Sequence, residues 1–217
     1  MKPNRMRAVV VSVVLATLSA AAGAGTAAQA REKEPARAAA RAAVPPADHN
    51  CLSPDGTNLN AFLGVSERII GPPDCREAFV GEQWVRTFPS WGTAVNGARA
   101  RYPRGYTPAR FNPMDDFVSK FLGIRVVNDI GTAQERSHTF GPETIRRIAP
   151  FDRDLFAFFG SAPLSSLSAG AHTTTVFMRL SAEHCDGLGR RPLENCLPAG
   201  EFAYTGDTPV TFFPRSR

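Results

Sequence analysis

Apolar residues recur with a helical period over residues 112–123, and this pattern predicts the clearest helix of the chain. They stand at i, i+3, i+4, i+7 and i+8, on one helical face: Met114, Phe117, Val118, Phe121 and Leu122. Asn112 is a suitable N-cap, Pro113 suits the first helical position, and Gly123 is a typical helix end. A shorter pattern over residues 57–65 predicts one or two further helical turns.

Most of the remaining apolar residues follow strand-like patterns. Residues 124–128 are rich in β-branched residues and predict a strand. Residues 133–140 predict a second strand after a turn at 129–131, so the two together predict a hairpin. Residues 171–183 alternate between apolar and polar positions and predict the best strand of the chain. Residues 202–213 predict a last strand with a break near its middle.

Two segments lack a clear period. Residues 83–114 hold several prolines and glycines and predict an irregular stretch. Residues 151–160 are strongly aromatic and fit either a buried strand or a tight turn of helix. Taken together, the patterns predict a mainly β fold, an immunoglobulin-like β-sandwich with one or two short helices, with an α+β fold as the alternative.

The N-terminal part of the chain predicts a signal peptide over residues 1–30. A positively charged region precedes an apolar run at 8–18, which is shorter than the roughly 20 residues that a spanning helix needs. The Ala-Gln-Ala motif at 28–30 fits a cleavage site. Residues 31–50 are rich in Ala, Arg and Pro and predict a flexible tail. Residues 51–217 therefore form a single predicted domain, with no membrane span after cleavage.

Cleavage of the signal changes the charge of the protein. The full chain has 25 Lys and Arg against 20 Asp and Glu. Removing the three basic residues Lys2, Arg5 and Arg7 leaves 22 against 20, a net charge of +2. This balance is not typical of nucleic-acid-binding proteins, so no nucleic-acid partner is expected.

The four cysteines all lie in the predicted domain: Cys51, Cys75, Cys185 and Cys196. An even number of cysteines in an exported chain indicates disulfides. Of the three possible pairings, the sequential one closes two short loops rich in Gly and Pro, and we expect Cys51–Cys75 and Cys185–Cys196. The spacings of 24 and 11 residues fit no familiar zinc module, so no metal and no cofactor are expected.

Residues 84–111 interleave aromatic rings with arginines and contain no acidic residue. Arginine and aromatic side chains together bind sugars or anionic polymers through stacking and cation–π contacts. The candidate ligand-binding residues are Trp84, Trp91, Arg99, Arg101, Tyr102, Arg104 and Tyr106. The alternative is structural: the rings fill the core under a long loop, and the arginines face water.

Signatures of the common exported hydrolases are absent from the sequence. Glu183, His184 and His172 are candidates for an acid–base or metal site near the end of a strand. The adjacent carboxylates at 115–116 fall in the first turn of the predicted helix, where the helix dipole explains them. The serines at 161–168 lie in a Pro- and Gly-rich segment, where serine is expected for backbone reasons. The sequence therefore assigns no catalytic residue.

Several segments carry a resemblance to known proteins: GAHTTTVFMRLSAEHCDGLG with ENCLPAGE, PMDDFVSKF with IRVVN and QERSHTF, and CLSPDGTNLN. On these segments, which span roughly residues 51–213, the chain resembles a set of uncharacterised secreted proteins of high-GC Gram-positive bacteria, the actinobacteria. The resemblance implies an exported bacterial protein whose cysteine pairs belong to the structural framework. That set has no assigned activity, so no functional residue is carried over.

These observations favour a secreted, non-enzymatic protein that binds a ligand in the cell envelope or outside the cell. One alternative is a secreted hydrolase of an unfamiliar type. Another is a protease-inhibitor-like module that presents the loop between Cys185 and Cys196, and exposure of residues 188–193 would favour it.

Overall fold

The computed structural model describes residues 50–71 and 75–215. The predicted signal peptide at 1–30 lies outside the described residues, as does all but the last residue of the predicted tail. The described residues belong to one compact unit. No helix among them is long and apolar enough to cross a bilayer.

Strands dominate the described part of the chain. They are β1 (Arg68–Ile70), β2 (Glu77–Phe79), β3 (Trp84–Ala94), β4 (Phe121–Asn128), β5 (Arg136–Phe140), β6 (Ile145–Phe151), β7 (Asp154–Gly160), β8 (Gly170–Leu180), β9 (His184–Cys185), β10 (Cys196–Leu197), β11 (Gly200–Ala203) and β12 (Thr208–Phe213). The helices are α1 (Leu59–Leu63), α2 (Pro113–Lys120) and α3 (Pro192–Asn195), with one 3₁₀ turn at Pro142–Thr144.

The strands form two main sheets. The first has the order β1-β3-β7-β6, with β1 and β3 parallel and the other pairs antiparallel. The second has the order β2-β12-β8-β4-β5, and β11 also pairs with β8. In this sheet only the β2–β12 pair is parallel. The short strands β9 and β10 form a separate two-stranded ladder.

A single large core joins the two sheets and α2. It takes buried side chains from β3 and β7 of the first sheet, from β4, β8 and β12 of the second, and from the helix. Phe159 lies near its centre, stacked on Phe88 with ring centroids 4.6 Å apart and touching Phe117 and Phe121. The prediction of a mainly β, sandwich-like fold with a few short helices is therefore confirmed.

Helix α2 begins as predicted but ends earlier. The Asn112 side chain accepts a hydrogen bond from Met114 N–H at 2.9 Å, which confirms the N-cap. The helix ends at Lys120, because Phe121 already has the extended backbone of β4. Gly123 does not end the helix; it has a positive φ of 117° beside a register shift inside that strand.

The prediction of an irregular stretch at 83–114 is wrong for its first third. This third is β3, an eleven-residue strand between β1 and β7 in the first sheet. Its first five residues are all buried, so the alternation that marks a half-exposed strand is missing. Pro89, which lacks an N–H, lies within a register shift between Phe88 and Trp91, where a ladder tolerates proline.

Both disulfides are paired as predicted, Cys51 with Cys75 and Cys185 with Cys196. The second bridge joins residues that lie opposite each other on β9 and β10. The described residues contain no free cysteine. Two disulfides fit a protein that matures where thiols oxidise.

We expect Phe159→Ala to lower the free energy of unfolding by about 3–5 kcal/mol, because it removes a ring packed on several others and leaves a cavity. Phe151→Ala is the matched control, since 67% of that ring is exposed and its removal should cost less than about 0.5 kcal/mol. Urea unfolding followed by circular dichroism measures both. Equal losses in the two variants would contradict this assignment of the core.

Candidate functional site

Two loops meet where β3 ends: the arginine loop, residues 95–112, and the stapled loop, residues 186–195, which the second disulfide closes. Arg101 N–H of the arginine loop donates to Gly187 O at 2.7 Å. Ala94 N–H, at the end of β3, donates to Asp186 O at 2.9 Å. The loops are therefore joined through their main chains. The main chains that carry the side chains of both loops are thus held in fixed relative positions.

Glycine at position 187 permits this close approach. Gly187 has a positive φ of 77°, which L side chains rarely adopt. A Cβ atom there would also stand 2.9 Å from the Cβ of Ala100 in the arginine loop. Any larger residue would push the two loops apart.

A cavity of about 230 Å³ opens between these loops and the turn that joins β6 to β7. Arg99 and Arg101 line it from the arginine loop, and Arg153 lines it from the turn. The other lining residues are Ala94, Val95, Asp154, Gly187 and Leu188. Three guanidinium groups against one carboxylate give the lining a net charge of +2.

The three arginines are available to a ligand. All three are exposed, and none takes part in an ion pair formed by the described residues. Arg125 shows the contrast, because it forms a 2.7 Å pair with Glu201 on the second sheet. A guanidinium group offers five N–H donors in a planar fork that matches carboxylate and phosphate groups.

A fully buried carboxylate, Asp116 of α2, holds the arginine loop from inside the protein. Its Oδ1 accepts from the main-chain N–H groups of Ala109 and Arg110, at 2.6 and 3.1 Å. Its Oδ2 accepts from the Tyr106 hydroxyl at 2.8 Å. Three points of the loop are thus tied to one side chain.

Lys120 and His184 complete the Asp116 network. The Lys120 ammonium donates to Asp116 Oδ2 at 2.7 Å, to the Tyr106 hydroxyl at 2.9 Å and to Glu183 O at 2.9 Å. All three of its protons are therefore used. His184 Nδ1–H donates to the same Asp116 oxygen at 2.9 Å, and its ring is completely buried.

The network consists of one ion pair and one neutral imidazole at neutral pH. Burial alone would raise the pKa of Asp116, but hydrogen bonds from Lys120, His184 and Tyr106 outweigh it and lower that pKa to about 2. Burial lowers the pKa of His184 to about 4. Removing one partner would leave a buried charge uncompensated, which typically costs about 3–5 kcal/mol.

The structure divides the predicted ligand-binding residues into two groups. Trp84 is fully buried in the core, where its Nε1–H donates to Ser165 O at 2.9 Å, so it cannot stack on a ligand. Trp91 is partly buried beside His184, with ring centroids 6.1 Å apart. Tyr102 and Tyr106 are half-buried, with ring centroids 5.2 Å apart.

The predicted arginines all reach solvent. Arg99 and Arg101 line the cavity, whereas Arg104 is exposed outside it. Arg86 was not a candidate, and it is completely buried, with its guanidinium donating to Thr208 Oγ1 at 2.8 Å. The structural alternative therefore holds for Trp84, whose ring fills the core. It does not hold for Arg86, because that arginine is buried and does not face water.

The three residues considered for acid–base chemistry do not converge. Glu183 is exposed and His184 is sealed in the core. His172 lies near the start of β8, eight residues or about 26 Å of extended chain before its end. The described part of the chain brings together one metal-like trio, Glu183 with Cys185 and Cys196, but both cysteines are oxidised.

The stapled loop exposes two leucines and carries a helical turn. Leu188 is 42% exposed beside the cavity, and Leu193 of α3 is entirely exposed. These exposures agree with the feature that an inhibitor-like loop would need. The inhibitor interpretation stays a prediction.

Sequence reasoning missed two contributors to the site. Arg153 is separated from the arginine loop by more than forty residues and reaches the cavity only through the β6–β7 turn. Asp116 was explained by the helix dipole, although its network partners come from three parts of the chain. The available signal was the spacing, since Asp116 stands four residues before the only lysine of the described region.

The chain matches no family model, and no curated protein or solved structure matches it either. The resemblance to secreted actinobacterial proteins therefore stays a prediction.

We expect the free energy of unfolding to fall by on the order of 3 kcal/mol as the pH drops from 6.5 to 4. The pKa of His184 is lower in the folded protein than in the unfolded chain, so the unfolded chain binds more protons in this window. Asp116 adds a further loss only below about pH 4, as the pH approaches 2.

Urea unfolding at a series of pH values measures this slope, and the imidazole NMR signals of His184 should titrate near pH 4. His184→Gln should flatten the slope, whereas the control His138→Gln on β5 should keep it. Titration of the His184 ring near pH 6.5 would contradict the burial argument.

Proposed function

We propose that this chain is an exported binding protein that recognises an anionic polymer of the cell envelope or its surroundings. The observation that carries the proposal is the cavity lined by Arg99, Arg101 and Arg153, none of which forms an ion pair with another described residue. Export rests on the predicted signal peptide and agrees with the two disulfides.

The chemistry of the cavity favours an anion over a neutral sugar. Neutral sugars are bound largely by exposed aromatic faces, and Trp84 and Trp91 are turned into the protein. The cavity instead offers three guanidinium groups with small apolar neighbours, Val95 and Leu188. Phosphate or carboxylate groups spaced along a polymer would satisfy these forks.

The Asp116 network serves this function by ordering the loop in advance. An arginine loop that is already fixed loses little conformational entropy when it binds. The network carries no net charge at neutral pH, because the charges of Lys120 and Asp116 cancel and His184 is neutral. It therefore orders the loop without itself attracting an anionic ligand.

We expect Arg99→Ala/Arg101→Ala to weaken binding to inorganic polyphosphate by at least about tenfold, because each lost charged hydrogen bond contributes roughly 1.5–3 kcal/mol. Isothermal titration calorimetry measures the dissociation constant, with polygalacturonate as the carboxylate polymer and dextran as the neutral one. Binding should weaken as salt rises, and dextran should not bind.

The control Arg190→Ala/Arg191→Ala removes the same charge from exposed positions of the stapled loop that do not line the cavity. It should change the affinity less than threefold. Equal losses in both double variants would show diffuse charge attraction and overturn the cavity as the site. Binding to dextran that survives in both variants would overturn the anion preference.

A further inference from the structure

A second site lies at the other end of β8, where Ser168, His172 and Asp129 approach one another. Asp129 Oδ2 accepts a hydrogen bond from His172 Nδ1–H at 2.7 Å. His172 Nε2 lies 3.3 Å from Ser168 Oγ. The hydroxyl, the imidazole and the carboxylate therefore form a continuous hydrogen-bonded row.

The carboxylate in this row is rigidly placed. Asp129 is buried in the turn after β4 and has a positive φ of 52°, which is uncommon for a residue other than glycine. Its main-chain N–H donates to Thr173 O at 3.0 Å, and its Oδ1 accepts from Thr173 N–H at 3.0 Å. Both bonds anchor Asp129 to the strand that carries His172.

Exposure increases along the row from the carboxylate to the hydroxyl. Asp129 and His172 are buried, the latter against the edge of Phe212 at 5.9 Å between ring centroids, while Ser168 is exposed. All three line one cavity of about 310 Å³. Glu135 and Arg136 are the other ionisable side chains that line it, and Glu135 accepts from Gly131 N–H at 2.7 Å.

We propose that Ser168, His172 and Asp129 form a nucleophilic site for acyl transfer from small carboxylic esters. An exposed hydroxyl, a base within reach of it and a buried carboxylate that orients the base are the arrangement such chemistry requires. The inference is independent of the anion-binding function, and it departs from the expectation of a non-enzymatic protein.

The main chain of Ser168 offers His172 Nε2 a second hydrogen-bond partner. Its carbonyl oxygen also lies 2.9 Å from His172 Nε2, and a carbonyl can only accept. A protonated Nε2 donates to this carbonyl. An unprotonated Nε2 can bond only to a donor, which is the Ser168 hydroxyl. Nε2 can therefore act as a base only toward the Ser168 hydroxyl.

In the first half of the reaction, Ser168 Oγ forms a bond to the ester carbonyl carbon while its proton moves to His172 Nε2. The bond to the leaving alkoxide then breaks, and the alcohol departs with that proton. In the second half, water forms a bond to the acyl carbon, the bond between that carbon and Oγ breaks, and the proton of the water passes through Nε2 to Oγ. The sum is ester plus water to alcohol plus carboxylic acid.

The cavity indicates the size and polarity of the substrate. Its volume lies at the lower end of the range of small-molecule sites, about 300–1,000 Å³, which suits a short acyl chain. Arg136 supplies a positive charge toward which the developing oxyanion can turn. The polar side chain of Gln134 also lines this cavity.

A fluorophosphonate probe tests the proposal, because Oγ displaces fluoride and the phosphorus–oxygen bond that forms is stable. We expect mass spectrometry of the digested protein to find the label on Ser168. The variant Ser168→Ala should lose the label. The control Ser165→Ala, an exposed serine of the same segment, should keep it.

His172→Gln removes the base and should slow labelling about 100-fold or more. The same variants should show the same order in the hydrolysis of p-nitrophenyl acetate, with circular dichroism confirming that each is folded. Absence of label on Ser168 in the folded wild-type protein would overturn the proposal. Labelling at an unchanged rate in a folded His172→Gln protein would also overturn it.

Discussion

The Asp116 carboxylate accepts five hydrogen bonds from three parts of the chain: the arginine loop, its own helix and strand β9. A buried carboxylate is expensive to desolvate, so it persists only where such donors surround it. The positions of Lys120 and His184 follow from this requirement. The arginine loop has no secondary structure over most of its length and obtains its order from the same side chain.

Two buried aspartate–histidine pairs lie toward opposite ends of β4 and β8, and their surroundings give them different chemistry. His184 donates to Asp116 but is sealed, and no described residue supplies a partner for its second nitrogen. His172 donates to Asp129 and turns its second nitrogen toward an exposed serine and a cavity. The first pair is enclosed in the core, whereas the second faces a cavity and a serine hydroxyl.

Elements with local signals were predictable from the sequence. The Asn112 cap, the hairpin after Asn128, the long strand β8 and both disulfides follow from capping, turn residues, alternation and cysteine spacing. Strand β3 was not predictable in this way. It is buried along its first half and bulged beside Pro89, so neither alternation nor an unbroken β-branched run marks it. The burial of Arg86 follows from that missed strand.

The amino-acid sequence by itself determined the mainly β class and the interleaved arginines and aromatic rings of residues 84–111. Each of these is a property of neighbouring residues or of composition. Only the tertiary structure decided that Arg153 joins Arg99 and Arg101 around one cavity, that Trp84 is unavailable to a ligand, and that Ser168 stands beside His172 and Asp129. These facts depend on strand order and on turns that bring distant segments together, and no local pattern encodes such juxtapositions.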